Sequence, residues 1–346
     1  MLELQRIRFE NRSDFDRWQQ YVEERPDSHC ADLAEWRPLF RELYGIEDYS
    51  YLCVDGGRTV GALSLYHIRS PFMGRMLVTC CFYGYGGFYW ESEAARDLLL
   101  DEAAVVARKL KVDYLELRLT QELPAPYKSN TDFSEFNLDC GAPAEEIWTD
   151  RLASNVRQNI RKSRKQALEF RFSEHHGPCF DLLRRTLRAH GTPFHGKRFF
   201  ELLEKHLGSR VRYSEVRHQE RVVAAGITVR FKGSIITPYI GSLAGSRALR
   251  ANYFQYWNLI EDCVAEGRTE FQMGRSPRES THARFKQKWG CEERAVYYNY
   301  LVVNPRKGYR AVSRPSPVYL LATRIWRRLP LALTTLVGPR LFRYIP

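Results

Sequence analysis

Two stretches of this chain repeat one another, and that duplication limits the fold more than any other feature. Tyr51-x-x-Val54 followed by Arg58-x-Val60-x-Ala62 returns as Tyr213-x-x-Val216 followed by Arg221-x-Val223-x-Ala225, with one residue inserted in the turn. Asp113-Tyr114 ending in Arg118 returns as Glu270-Phe271 ending in Arg275 at the same spacing. Around these echoes the predicted elements follow one order. In the first half, helices over 13–25 (capped by Ser13 or Asp14) and 31–45 (ending at Gly45) precede a hairpin turning at Gly56 and Gly57. A strand running into a glycine-rich loop, a long helix from Ser92 and a buried strand over 113–119 complete the unit. The second half offers a basic helix over 151–168, another helix, a hairpin over 212–231, the strand 233–243, a helix over 251–267 and the strand 270–276. An antiparallel meander that ends in a parallel crossover over a helix requires a mixed α/β (α+β) sheet flanked by helices. At 346 residues the chain has the length for two such domains. The expected division is 1–145, 146–305 and a tail, 306–346, with the Pro-containing stretch from about Thr120 to Asp150 crossing the surface between the halves.

Charge and cysteine usage exclude several classes. The net charge is +12, yet ten Lys or Arg and no acid lie from Arg294 onward, so the body is nearly neutral and DNA binding is disfavoured. The eight cysteines form no C-x-x-C pair, and Cys53, Cys80 and Cys81 sit in apolar runs as small buried hydrophobes; neither a metal site nor a disulfide framework is expected. The N-terminal segment is charged and lacks the apolar core of an export signal, and no apolar stretch reaches the ~20 residues of a membrane span. A cytoplasmic protein is the expectation.

The element order resembles the acetyltransferase (GNAT) fold, and the second half resembles the FemAB-like proteins within it. The matching residues are Asn155-Val156-Arg157-Gln158-Asn159-Ile160-Arg161-Lys162-Ser163, His190-Gly191-Thr192-Pro193, Gly274-Arg275-Ser276 and Phe285-Lys286-Gln287-Lys288-Trp289-Gly290. The combination is most similar to FemAB-related proteins associated with exosortase/PEP-CTERM and exopolysaccharide loci. The resemblance covers roughly 1–310 and implies two tandem GNAT-like domains. It implies transfer of an acyl or aminoacyl group to an amine or hydroxyl of a cell-envelope precursor, with acyl-CoA or aminoacyl-tRNA as donor and a lipid-linked or other anionic acceptor. Peptide-bridge-forming members carry a helical coiled-coil arm in the second domain; here a single basic helix takes its place, a departure from the tRNA-dependent pattern. A non-catalytic accessory of exopolysaccharide or sorting machinery is the alternative.

Candidate site residues follow in part from type and in part from this resemblance. In the basic helix, Arg157, Arg161 and Arg164 share a face opposite Leu152, Val156 and Ile160, which suits either a phosphate-rich ligand, with Arg161 as a contact, or plain solvent. The loop Tyr83-Gly84-Tyr85-Gly86-Gly87 occupies the position where GNAT enzymes cradle a pyrophosphate, but Glu91 and Glu93 oppose an anion there and a packed glycine bend is the plainer expectation. Its counterpart, 241–247, offers Gly241, Ser242 and Gly245 as a donor cradle, with Arg247 and Arg250 beside it. Arg275 and Ser276 end a strand, where side chains face a cleft. Lys286 is the position where related enzymes contact acceptor phosphates; Phe285 and Trp289 are expected to pack in the core. For proton handling Glu116, Tyr239 and His282 remain open, Glu116 being equally suited to pairing with an arginine. No G-x-S-x-G elbow marks a covalent nucleophile. The tail alternates Leu, Ile and Trp with Arg; it suits peripheral contact with the inner membrane face, and the competing expectation is a helix docked on the protein.

Overall fold

The computed structural model describes residues 1–82, 84–309 and 317–344. Two compact units emerge: Met1–Phe133 with Ala295–Ser313 and Arg343–Pro346, and Ser134–Arg294 with Arg314–Phe342. Two of the cuts therefore fall inside the strands Lys128–Asp139 and Glu292–Val302, and the described residues of the expected 306–346 tail are shared between the units, 306–309 and 343–344 in the first and 317–342 in the second.

In the first unit, Leu2–Arg6, Tyr51–Asp55, Arg58–Leu63 and Phe88–Trp90 form an antiparallel sheet in that order. The strand after the Gly56–Gly57 turn stops at Leu63; the chain breaks at Ser64 and Leu65, and Tyr66–Ser70 pairs elsewhere, beside Gly74–Val78. Gly74–Val78 then runs parallel to Tyr114–Leu119, and the helix Glu93–Lys109 makes the crossover. Leu63, Leu77, Leu99, Leu115 and Leu117 are fully buried between helix and strands. The first helix, Arg12–Glu24, is capped by Asn11, whose side chain accepts from the Ser13 N–H; Asp14 instead accepts from the Arg8 N–H. The expected 31–45 helix is confined to Trp36–Tyr44, because a capping box between His29 and Asp32 closes its own short turn first, and Gly45 ends it in the left-handed conformation.

The second unit orders its strands Leu168–Ser173, Val211–His218, Arg221–Phe231, Ser234–Ser242, Glu270–Pro277 and Lys128–Asp139. The last of these corrects the expectation of a surface crossing over 120–150: Ser134, Glu135, Phe136, Asn137 and Leu138 are all buried. The basic helix is confined to Ser154–Arg164, preceded by a π turn over Ile147–Arg151. Val156 and Ile160 face a core that includes Phe136, Trp257, Phe271 and Trp289. Trp289 is ringed by Tyr253, Tyr256 and Phe285, as expected for a core position. The chain leaves that core at Gly290 with φ +79°, where a Cβ would stand 2.6 Å from the Arg151 carbonyl oxygen; only glycine satisfies both constraints.

The helices Pro317–Arg328 and Leu331–Phe342 dock on the helix Gly177–His190. Arg188 Nε donates to the Leu329 carbonyl at 2.7 Å, Arg327 Nη2 donates to the His190 carbonyl at 3.1 Å, and Trp326, Thr334 and Phe342 are buried. For one face of the tail, docking is thus the outcome. Among the described residues no helix is long and apolar enough to cross a membrane.

The Gly290 geometry yields a stability test. Gly290→Ala is expected to cost about 3 kcal/mol, from the left-handed backbone and the close carbonyl together, lowering the denaturant midpoint without changing its slope.

Candidate active site

The site in the second unit begins with two strands that part. Ser234–Ser242 pairs with Arg221–Phe231 along its length but with Glu270–Pro277 only at Ser234, Ile235 and Ile236. A register shift opposite Thr228 places both Thr237 and Pro238 against that single residue. Pro238 has no N–H to give the ladder, and a bulge re-aims the residues that follow. The Thr237 hydroxyl makes the last tie, donating to the Gln272 carbonyl at 3.0 Å. Beyond it no ladder pair joins 238–242 to 273–277, and this unpaired interval is the wedge between the two strands.

Arg275 at this wedge lies near both Tyr239, whose phenol feels its charge, and Lys286, which donates to its carbonyl. Tyr239 Oη lies 2.8 Å from His195 Nε2. The imidazole is itself buried, stacked on Phe199 at 3.7 Å and against Phe342 at 3.9 Å. Burial lowers the His195 pKa well below its ordinary value and raises that of the Tyr239 phenol, with the positive Arg275 acting in the opposite sense on the phenol. Both groups are therefore neutral at pH 7. Lys286 is buried, and its ammonium donates to the carbonyls of Gly274 at 2.6 Å and Arg275 at 3.2 Å. Nζ also stands 5.4 Å from the centroid of the Phe136 ring. Burial lowers the Lys286 pKa to about 8; the Glu135 carboxylate opposes the shift and Arg275 adds to it. Two of the three ammonium donors serve the end of the 270–277 strand, which leaves one for a ligand. Ser276, next in the strand, is buried.

The loop after the wedge holds the other expected residues. Gly241 is buried under Thr186, whose Cγ2 would lie 3.0 Å from an added Cβ. Ser242 is half-buried, and Gly245 and Arg247 are exposed in the 3-10 turn Ala244–Leu249. The helix Ala251–Ala265 then starts with no side-chain cap and no acid in its first turn. The corresponding helix of the first unit, Glu93–Lys109, is capped by Ser92 and has Glu93 in its first turn. An uncapped helix start beside Arg247 and Arg250 suits the phosphates of an acyl donor, whereas the capped one does not. Gly241 serves packing.

The first unit is closed where the second is open. Arg118 and Glu116 have no exposed side-chain surface, and Arg118 Nη2 lies 2.6 Å from Glu116 Oε1. Arg118 also stands over the Tyr298 ring at 5.2 Å. The glycine loop packs against this pair: the Gly86 N–H donates to the Arg118 carbonyl at 3.1 Å. Gly87, at φ +84°, has room for no Cβ, the Thr79 carbonyl oxygen being 2.3 Å from where it would be. The loop is a packed bend in its described residues, and Tyr83 lies outside them. Glu116 is accordingly corrected from proton carrier to buried ion-pair partner. The strand arginines of the repeat, Arg118 and Arg275, share a position but not a role.

The basic helix is also more committed than its sequence implied. Arg164 reaches Glu261 at 3.3 Å, and Arg157 donates to the carbonyls of Trp148 at 3.1 Å and Thr149 at 2.5 Å. The Arg161 guanidinium lies 5.5 Å from the Trp148 ring and remains exposed; the structure does not bring it to Tyr239 or Lys286. His282 is exposed near the start of Thr281–Gln287. Sequence reasoning missed His195, although it lies two residues past the quoted His190–Pro193 motif, and Glu135, which fell in the segment taken for a crossing. Among the described residues no group of His, Cys, Asp and Glu could hold a metal ion.

With this geometry in place, residues 151–287 match the family model described as an acetyltransferase (GNAT) domain. The second unit thus contains an acetyltransferase (GNAT) domain, and the fold of the chain is that of two GNAT-like domains in tandem. Its fold is shared with FemX, 13% identical over 93% of this chain and 100% of that one, with a TM-score of 0.66. It is also shared with the C-terminal domain (DUF2156) of a putative lysylphosphatidylglycerol synthetase from Agrobacterium fabrum (13%, 83% and 91%, TM-score 0.57). A third likeness is a tandem GNAT protein from the clavulanic acid biosynthesis pathway (10%, 91% and 100%, TM-score 0.56). A search of curated proteins gives no match.

The buried pair separates structural from catalytic carboxylates. Arg118→Met leaves Glu116 buried without its partner and is expected to cost about 3–5 kcal/mol in denaturant unfolding, with ligand affinity of the folded protein unchanged.

Proposed function

We propose that the protein transfers an acyl or aminoacyl group to an amine or hydroxyl of a cell-envelope or exopolysaccharide precursor, and that the reaction takes place in the wedge of the second unit. The observation that carries this reading is the desolvated Lys286 ammonium at the end of the 270–277 strand, with Tyr239 on the neighbouring strand beyond the point where the two cease to pair. Attack on an acyl carbonyl moves negative charge onto its oxygen, and a fixed cation in a dry site stabilises that charge far better than water does. Lys286 supplies the cation through its remaining N–H. With the proton of His195 on Nε2, the imidazole donates to Tyr239 Oη and turns the phenolic O–H toward the wedge. As the acyl–acceptor bond forms and the acyl–donor bond breaks, the phenol gives its proton to the departing group and takes up the one that the acceptor loses, so that it ends the cycle as a phenol. The exposed loop residues Gly245 and Arg247 and the half-buried Arg250, with the uncapped start of the 251–265 helix, hold the phosphates of the donor; Arg275 and Ser276 orient an anionic acceptor.

The names of the similar structures, FemX and a putative lysylphosphatidylglycerol synthetase, support an aminoacyl donor and an acceptor held by lipid. The loop arginines suit acyl-CoA equally, and the cytoplasmic face of the inner membrane is where such substrates would be met. The open wedge favours an enzyme over a non-catalytic accessory.

The test is transfer of labelled acyl groups, from acyl-CoA or charged tRNA, to extracted lipid-linked precursors. Lys286→Ala is expected to lower kcat by about a hundredfold with little change in donor affinity; unchanged turnover would remove Lys286 from the site. Because the ammonium is the active form and its pKa is about 8, kcat should fall as pH rises through that value. Lys286→Arg, which stays charged, should lose that alkaline limb. A limb that persists in the arginine variant would assign it to another group.

A further inference from the structure

We propose that the outward faces of the two C-terminal helices bind the surface of an anionic phospholipid bilayer. This goes beyond acyl transfer and would hold whatever reaction the wedge supports. Eight large apolar side chains are exposed among the described residues, and five of them, Leu320, Leu321, Ile325, Leu333 and Leu336, lie on these helices. They are between 42 and 64% exposed. The hairpin is not short of a core: Trp326, Thr334 and Phe342 already bury its inner face.

Helical geometry puts the exposed residues opposite that inner face. In Pro317–Arg328, Leu321, Arg324 and Arg328 point away from Trp326, with Leu320 and Ile325 flanking them. In Leu331–Phe342, Leu333, Leu336 and Arg340 point away from Thr334 and Gly338. Each helix is therefore apolar on both sides, and its outer side interleaves leucine or isoleucine with arginine. No Asp or Glu follows Glu293 in the sequence, so no carboxylate on these helices repels an anionic surface. Long arginine side chains place their charge among phosphate groups while leucines enter the acyl boundary. A second copy of the chain would set like charges against each other; an anionic leaflet complements both the charge and the apolar surface.

The test is co-sedimentation of the full chain with vesicles of phosphatidylcholine alone or containing phosphatidylglycerol. Binding is expected only with the anionic lipid and should weaken as salt rises. Leu321→Ser/Leu336→Ser and Arg324→Glu/Arg328→Glu/Arg340→Glu should each weaken it by at least about tenfold, with unchanged thermal unfolding because every altered side chain is exposed. As a local readout, an environment-sensitive dye on Leu336→Cys should shift to the blue on the vesicles, whereas one on Val105→Cys in the first unit should not. Three results would overturn the proposal: no binding of the intact chain at low salt, binding untouched by both variants, or a stable dimer that Leu321→Ser/Leu336→Ser dissociates.

Discussion

The chemistry proposed for this molecule depends on where one strand stops pairing with its neighbour. A buried sheet keeps its ladder closed because unpaired backbone groups are costly. Here the 234–242 strand gives up one side of its ladder after Ile236, at a bulge that contains Pro238. The opposite strand would be left with carbonyls facing the gap. Lys286 answers that need by donating to those of Gly274 and Arg275. A lysine that satisfies a broken sheet edge is thereby fixed, dry and only partly used, and these are the properties of an electrostatic catalyst. In the proposed reaction, structural and chemical roles fall on the same ammonium.

The duplication explains how one fold can carry both a closed and an open version of this arrangement. In each unit a strand arginine follows a parallel crossover, but the first unit gives it Glu116 two residues earlier and seals the pair at zero exposure. At the matching position the second unit has Met273, and its arginine is left half-buried at the wedge. The helix starts diverge in the same direction, Ser92 and Glu93 closing one and Arg250 preceding the other. A charge buried with its partner contributes little net stability but is severe to disrupt, so the first unit reads as scaffold and the second as the site.

Much of this was legible in the sequence because it rests on local patterns. Alternation and glycine turns marked the hairpins, the repeat marked the domain pair, and the Phe285–Gly290 motif pointed to Lys286. The strand at Lys128–Asp139 was hidden because its buried positions include Ser134, Glu135 and Asn137, so no apolar alternation announces it. His195 was hidden for another reason: a single histidine has no spacing to betray it, and its partner Tyr239 is forty-four residues away. Glu116 looked catalytic by type, and only the fold shows that Arg118, two residues on in the same strand, pairs with it out of reach of solvent. The tail illustrates a fourth limit, since one amphipathic pattern can serve a docked face and an exposed face at once.

The central claim is that the chain holds one donor site, in the second unit. Calorimetric titration of acetyl-CoA, longer acyl-CoAs and charged tRNA into the intact protein tests it most directly, with Arg247→Glu/Arg250→Glu measured alongside. The account predicts saturable binding of one of these donors at a single site per chain, abolished in the double variant. Two sites per chain, or binding that survives both charge reversals, would contradict it.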